Sequence, residues 1–331
     1  MMKAAYISKT GAPDVIQVGD LPCPEPQAGQ VLVEVKCVAV NPIDTYIRSG
    51  AVAMQLPDPF IIGCDFAGIV HKIGEGVTSF KVGDRVWGSN QGLLGRQGTF
   101  AEYIAVDQAW THHLPEAVAF EDAAAVALVA ITAHLGLFRD AKLKAGETIL
   151  VIGGTGGVGS MVVQMAKLAG ARVITTAGSD SKAATALELG ADQVISYHKE
   201  PIGEAIARLA PEGVNVFWET RREPDFDLAV AAMAPRGRMV LMAGRDARPA
   251  FPVGPFYVKE CSLQGMVMFK ASPEEVAATA KDINQWLTNQ QLKSNISARL
   301  SLDQAAESHR MQEAATLHGN SNLAGKIVLS V

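Results

Sequence analysis

Hydrophobic positions along the chain follow two periods, and the change between them divides it. Up to about residue 120, short runs alternate apolar with other residues, the period of strands with one buried face. Residues 31–40 (VLVEVKCVAV) are the clearest case. Turn formers flank them: Pro22, Pro24, Pro26 and Gly29 before, Asn41-Pro42 after. The opening MMKAAYI, 66–74 (FAGIVHKIG) and 82–88 (VGDRVWG) read as further strands with Gly at the corners. Near Glu121 the period changes. Residues 122–138 are apolar and rich in helix formers, which predicts a buried helix. Strands at 147–154, 171–178, 193–197, 214–219 and 238–244 then alternate with helices at 161–170, 181–191 and 201–210. Such alternation makes a parallel sheet with helices on both faces. Helical patterns at 273–287 and around 302–318 precede a last strand, KIVLSV, which points to a return to the first domain. The expectation is an α/β protein. A mostly β domain over 1–121 is completed by 266–331, and a doubly wound parallel-sheet domain occupies 122–265.

Composition narrows the function class. The 331 residues are 48% hydrophobic and 19% charged, with 31 Gly, as in a globular α/β enzyme. A net charge of −5 argues against nucleic acid or an anionic membrane surface as the main partner. Cys23, Cys37, Cys64 and Cys261 are far apart with no CxxC pair, so free thiols and a cytoplasmic location are expected. The N-terminus lacks the apolar core of a signal peptide. The most apolar stretch, 123–138, falls short of the roughly 20 residues of a membrane span.

The sharpest chemical signal is Gly154-Thr155-Gly156-Gly157-Val158-Gly159, which follows a strand and opens a helix. In a Rossmann dinucleotide site, Gly154 would make the tight turn and Gly156 would let the backbone approach the pyrophosphate. Gly159 would let the helix pack on the strand. The helix N-terminus then turns its free N–H groups to the phosphates. The next strand ends Thr176-Ala177-Gly178-Ser179, with no carboxylate to read the ribose of NAD. Ser179 and Lys182 would instead hold a 2′-phosphate, which makes NADPH the expected cofactor. Asp180 would repel that phosphate if turned inward, and Lys182 reads equally well as a solvated helix residue.

With these residues in hand, the chain resembles the zinc-free medium-chain dehydrogenase/reductases, most closely the zeta-crystallin-like NADPH:quinone oxidoreductases. The resemblance runs over essentially the whole length. It is carried by Asn41-Pro42-Ile43-Asp44-Thr45-Tyr46-Ile47-Arg48-Ser49-Gly50, Gly63-Cys64-Asp65-Phe66-Ala67-Gly68-Ile69-Val70 and Val82-Gly83-Asp84-Arg85-Val86. Gly98-Thr99-Phe100-Ala101-Glu102-Tyr103, the glycine fingerprint and Gly325-Lys326-Ile327-Val328-Leu329 complete it. It implies a GroES-like mostly-β catalytic domain beside the Rossmann domain. It also implies a homodimer and cofactor contacts from Thr132, Gly178, Ser179, Lys182, Tyr197, Gly244, Phe269 and the loop around Asn322.

Zinc-dependent relatives carry Cys where Asn41 stands, His-Glu where Cys64-Asp65 stands, and a four-cysteine lobe after GDRV. This chain has neither ligand set, so no metal is expected and Cys64 reads as a packed apolar residue. Hydrogen-bond donors must then stabilise developing negative charge. The expected reaction is hydride transfer from NADPH to a quinone, with Asn41 and Tyr46 as oxyanion donors. Tyr46 reads equally well as an aromatic that only shapes the pocket. Asp44 is an orienting group and Arg48 a structural one. Reduction of the C=C bond of an α,β-unsaturated carbonyl, acid or thioester needs the same parts. A non-catalytic NADPH-binding protein, crystallin-like or RNA-binding, is the reading of another class. The segment from Phe217-Trp218 to Glu223-Pro224 departs from the family pattern. Either Trp218 narrows the pocket and Arg221 or Arg222 attracts a polar substrate, or the segment is a solvated ion-pair loop.

Overall fold

A computed structural model of the chain describes every residue except 318 and 320–322. The chain divides into two compact units, Met1–Leu128 with Ser272–Val331, and Val129–Ala271. The dividing line falls inside the long helix Phe120–His134, whose first half belongs to the first unit, rather than ahead of it.

In the first unit the strand Gln30–Val40 is the hub of a seven-stranded sheet. It pairs antiparallel with Asp65–Ile73, Tyr103–Asp107 and the last strand, Lys326–Ser330. Its burial exceeds simple alternation: Val31, Val33, Val38, Ala39 and Val40 are all fully covered. Register sets the chemistry, because Ala39 lies opposite Asp65 and Val40 opposite Ile327. The residues that begin or follow these strands (Asn41, Asp65, Lys326) are thereby gathered at one end of the sheet. Gly88, paired with Phe66, ends a further strand, Arg85–Gly88, and delivers Ser89 there too. Val82, read from the sequence as part of that strand, is instead exposed before a turn at Gly83 (φ 92°).

Where the sequence showed only turn signals, the structure has a helix, Pro42–Ser49. Pro42 occupies its first turn, where a missing N–H costs nothing and the fixed φ favours a helix. The Asp44 carboxylate accepts from the Asn41 backbone N–H at 2.8 Å, the reach-back half of a capping box. Arg48, buried to 1% exposure, pairs with Glu313 of helix Ala305–Thr316 and donates to the Gly11 carbonyl. Both ends of the helix are therefore fixed.

The second unit holds six parallel strands. Their order in space is Gln193–Ser196, Arg172–Ala177, Thr148–Val151, Val214–Glu219, Met233–Leu241, Ser262–Gly265. Numbered within the unit, that is 3-2-1-4-5-6, the doubly wound dinucleotide-binding order with its switch point beside Thr148–Val151. Two helices that the apolar pattern left unread, Phe226–Ala232 and Val253–Val258, also belong to this unit. The helical run Phe120–Asp140 is 21 residues, longer than expected, and by length and composition alone could cross a membrane. Its apolar window is 78% buried within the protein, as in a core helix.

Candidate functional site

The glycine turn differs in one position from the sequence reading. Gly153, not Gly154, takes the left-handed conformation (φ 78°) that the tight turn requires. Gly154 is needed for another reason: a Cβ there would come within 2.1 Å of the Thr175 hydroxyl. Gly159 packs helix Gly157–Leu168 against the turn, since its Cβ would fall 2.1 Å from the Gly153 carbonyl oxygen. At Gly156, by contrast, a Cβ would meet only that oxygen, at 3.4 Å. Gly156 is the N-cap, and no side chain caps the first turn opened by Gly157 and Val158. An uncapped N-terminus with room in front of it suits a pyrophosphate, so the residues present fit a dinucleotide.

Residues expected from the resemblance to touch the cofactor meet at the neighbouring strand ends. A Cβ on Gly178 would lie 2.1 Å from the Tyr197 hydroxyl, so ring and glycine are in close contact. The Ser179 hydroxyl accepts from the Lys182 N–H as N-cap of helix Asp180–Glu188. Gly244 (φ 83°) lies under the Arg222 carbonyl, where a Cβ would approach to 2.7 Å. Thr132 is buried on the long helix and Phe269 is half-buried in the turn Met268–Lys270. Asn322 lies outside the described residues.

The Trp218 segment resolves differently from its functional reading. Trp218 is 0% exposed and its ring fills the space over Gly136, so it does not face a pocket. Glu219, also fully buried, accepts from the Arg221 backbone N–H at 2.9 Å and from its guanidinium at 2.9, 3.2 and 2.7 Å. The Arg221–Glu219 ion pair is half-buried, while Arg222 and Glu223 are exposed.

In the first unit a buried polar node forms at the sheet end. Asn41 is 0% exposed, with its Nδ2 donating to Asp65 at 2.8 Å and its Oδ1 accepting from Lys326 Nζ. Lys326 also donates to the Val40 carbonyl at 2.6 Å and lies 3.9 Å from Asp65. Ser89 donates to the other Asp65 oxygen at 2.6 Å, and Thr99 to the Asp65 carbonyl at 2.8 Å. Burial pushes the Asp44 carboxyl up to about 7; the Asp65 charge adds to this, while the Cys64 thiol, the Asn41 N–H and Lys326 offset it in part. Burial likewise raises Asp65 and lowers Lys326, each opposed by the other's charge. Cys64 is driven well above the usual thiol range by burial and by Asp44 and Asp65.

Asn41 and Asp44 are thus brought together in the interior: the Asn41 amide is engaged at both ends, whereas Asp44 accepts from the Asn41 N–H through Oδ2 and its Oδ1 is buried without a hydrogen-bond partner. Tyr46, two residues on along the same helix, is half-buried. Among the described residues, no three His, Cys, Asp or Glu side chains form a metal-ligating group. Sequence reasoning passed over Lys326, although a lone lysine in an otherwise apolar strand is a signal for a buried, paired charge.

A doubly wound sheet with a ligand-ready glycine turn, in a chain that also carries a β unit with a buried polar node, defines a dinucleotide-dependent oxidoreductase. Comparisons with known proteins agree. Residues 27–116 match the alcohol dehydrogenase GroES-like domain, and residues 157–285 match the zinc-binding dehydrogenase domain. The chain is 31% identical to rat quinone oxidoreductase, covering 99% of this chain and 98% of that one. Among solved structures it is similar to an NAD-dependent alcohol dehydrogenase (TM-score 0.91, 30% identity, 100% of both chains). It is also similar to the Escherichia coli quinone oxidoreductase solved with NADPH (TM-score 0.86, 27% identity, 99% of this chain and 100% of that one). The chain belongs to the medium-chain dehydrogenase/reductase family, in its quinone oxidoreductase branch.

Proposed function

We propose that the protein reduces a quinone with hydride from NADPH, without a metal ion, and that Tyr46 donates to the developing oxyanion. The observation that carries this is the uncapped, open glycine turn beside a strand that ends without a carboxylate, in a chain related throughout its length to quinone oxidoreductases. The strand end favours NADPH over the NAD named for one structural neighbour.

Gly156, Gly157, Val158 and Gly159 would hold the pyrophosphate, with Ser179 and Lys182 at the 2′-phosphate. Bound there, NADPH supplies the hydride. The chain's own part is to fix Tyr46 and manage the proton. Asp65 and Lys326 lock the Asn41 amide, and Asp44 holds the Asn41 N–H, so the first turn of helix Pro42–Ser49 has one position. Asn41 is therefore a positioning residue. Tyr46 donates as charge grows on the substrate oxygen and then releases its proton to it.

Metal independence rests on the donor set. The Asp65 charge is already met by Lys326, and among the described residues no three His, Cys, Asp or Glu side chains come together as a ligand set. Of the features that favoured a polar alkene as substrate, Trp218 is interior and Arg221 is committed to Glu219, which leaves Arg222, exposed on the same loop.

Tyr46→Phe tests the assignment. We expect kcat with a quinone to fall by about 100-fold with NADPH affinity unchanged; full kcat in this variant would contradict it.

A homodimer and a reducing, cytoplasmic setting belong to the same reading. Ser262–Gly265 is an edge strand, and Val253, Tyr257, Val258 and Val267 stand exposed beside it in sequence, an apolar surface suited to a second copy. All four cysteines are unpaired. Sedimentation of Val258→Glu would yield monomers, whereas an unchanged dimer would place the interface elsewhere.

A further inference from the structure

We infer that Lys199 sets the preference for NADPH over NADH by engaging the carboxylate of Asp180; the inference rests on the cofactor reading above. Asp180 follows the second strand of the doubly wound sheet, Arg172–Ala177, by a short turn. An acid this close beyond the strand end would, if bare, repel a 2′-phosphate. Here the Asp180 Oδ1 accepts from Lys199 Nζ at 2.6 Å. Lys199 is delivered by the neighbouring strand. Ala177 pairs in parallel register with Ser196, and the turn that follows is closed by the Lys199 N–H on the Ser196 carbonyl at 2.9 Å. The same two strand ends are joined by the Tyr197 hydroxyl against Gly178. The acid is therefore committed before a cofactor arrives.

The state of Asp180 decides the outcome. With Lys199 its carboxylate is met by an ammonium; without Lys199 that carboxylate stands bare beside the site of the phosphate. Both partners of the pair are well exposed (65% and 80%), so it adds little to folding, and its effect falls on the ligand. A 2′-phosphate carries nearly two negative charges near neutral pH. It therefore discriminates strongly between an Asp180 that is neutralised and one that is bare. Ser179 and Lys182 make the direct contacts, and Lys199 acts through Asp180.

The test is direct binding of NADPH and NADH to the full chain, read by quenching of tryptophan fluorescence with no acceptor present. Lys199→Met is expected to narrow the NADPH-over-NADH affinity ratio by about tenfold, chiefly through weaker NADPH binding. Adding Asp180→Asn should restore the ratio, so Lys199→Met in the Asp180→Asn background changes it by no more than about twofold. An unchanged ratio in Lys199→Met, or equal narrowing in both backgrounds, would overturn the inference while leaving NADPH as cofactor. A native protein that binds NADH more tightly would overturn the cofactor reading itself. Unchanged thermal midpoints serve as the fold control.

Discussion

At Lys326 a single side chain decides whether the buried node holds together. Its ammonium sits inside the protein with Asp65 and the Asn41 amide as partners, and burial alone would push it towards the neutral form. Removing one partner leaves an uncompensated buried charge, so Lys326→Met should cost about 3–5 kcal/mol in chemical denaturation. The double variant with Asp65→Asn should cost less than the sum of the two single changes; strict additivity would mean the pair is not coupled. Asp44 supplies a pH signature. Its carboxyl is raised from 3.8 to about 7, so through that window the folded protein holds a proton that the unfolded chain has released. Its contribution is fully present below the window and is lost as pH rises to about 7, by at most about 1.4 kcal/mol per pH unit. Asp44→Asn should remove that loss when thermal midpoints at about pH 5 and about pH 8 are compared. Which residues matter here was legible from sequence, since Asn41, Asp44 and Asp65 all stood in recognisable motifs. Their orientation was not. Asn41 was expected to face the substrate, and only the cross-strand register that brings Lys326 to it shows that its amide is spent inside the protein.

Elements show the same division between what pattern reveals and what packing decides. Strand and helix alternation from 147 onward was readable because each strand is a short apolar run and each helix carries its own stripe. Helix Pro42–Ser49 escaped because eight residues opening with Asn-Pro look like a turn, and its stability comes from Asp44 at one end and Arg48 on Glu313 at the other. In the glycine turn the motif was found but its first role was placed one residue late, because consecutive glycines look alike until φ is known. Two glycines of the fingerprint, Gly156 and Gly159, make separable predictions. Gly159→Ala must force helix Gly157–Leu168 off the Gly153 carbonyl, lowering stability by roughly 1–3 kcal/mol and weakening NADPH together. Gly156→Ala meets only a 3.4 Å contact within the protein, so its thermal midpoint should stay near the native value while NADPH affinity falls. Equal loss of stability in both would show that the space at Gly156 is structural rather than kept for a ligand.

For the whole molecule, acid stability is a balance of buried groups far apart in sequence. His309 is fully buried, neither ring nitrogen has a hydrogen-bond partner, and burial next to Arg48 lowers its pKa from 6.5 to about 3. The unfolded chain binds that proton first, so its contribution is present above 6.5 and lost as pH falls towards 3, opposite in direction to Asp44. His309→Leu should therefore stabilise the protein more at about pH 5 than at about pH 8, and an equal effect at both would show that the imidazole does not stay neutral. At this scale the doubly wound order of the second unit, in a chain related throughout to quinone oxidoreductases, makes the protein a dinucleotide-dependent oxidoreductase, and the node in the first unit holds the helix that carries Tyr46. The claim that joins them is metal-free hydride transfer from NADPH to a quinone. It is met most directly by following loss of NADPH absorbance with phenanthrenequinone after exhaustive chelation, with residual metal measured in the same sample. Undiminished turnover in metal-free protein, unchanged by added zinc, is the expected result; activity abolished by the chelator and restored by zinc would contradict it.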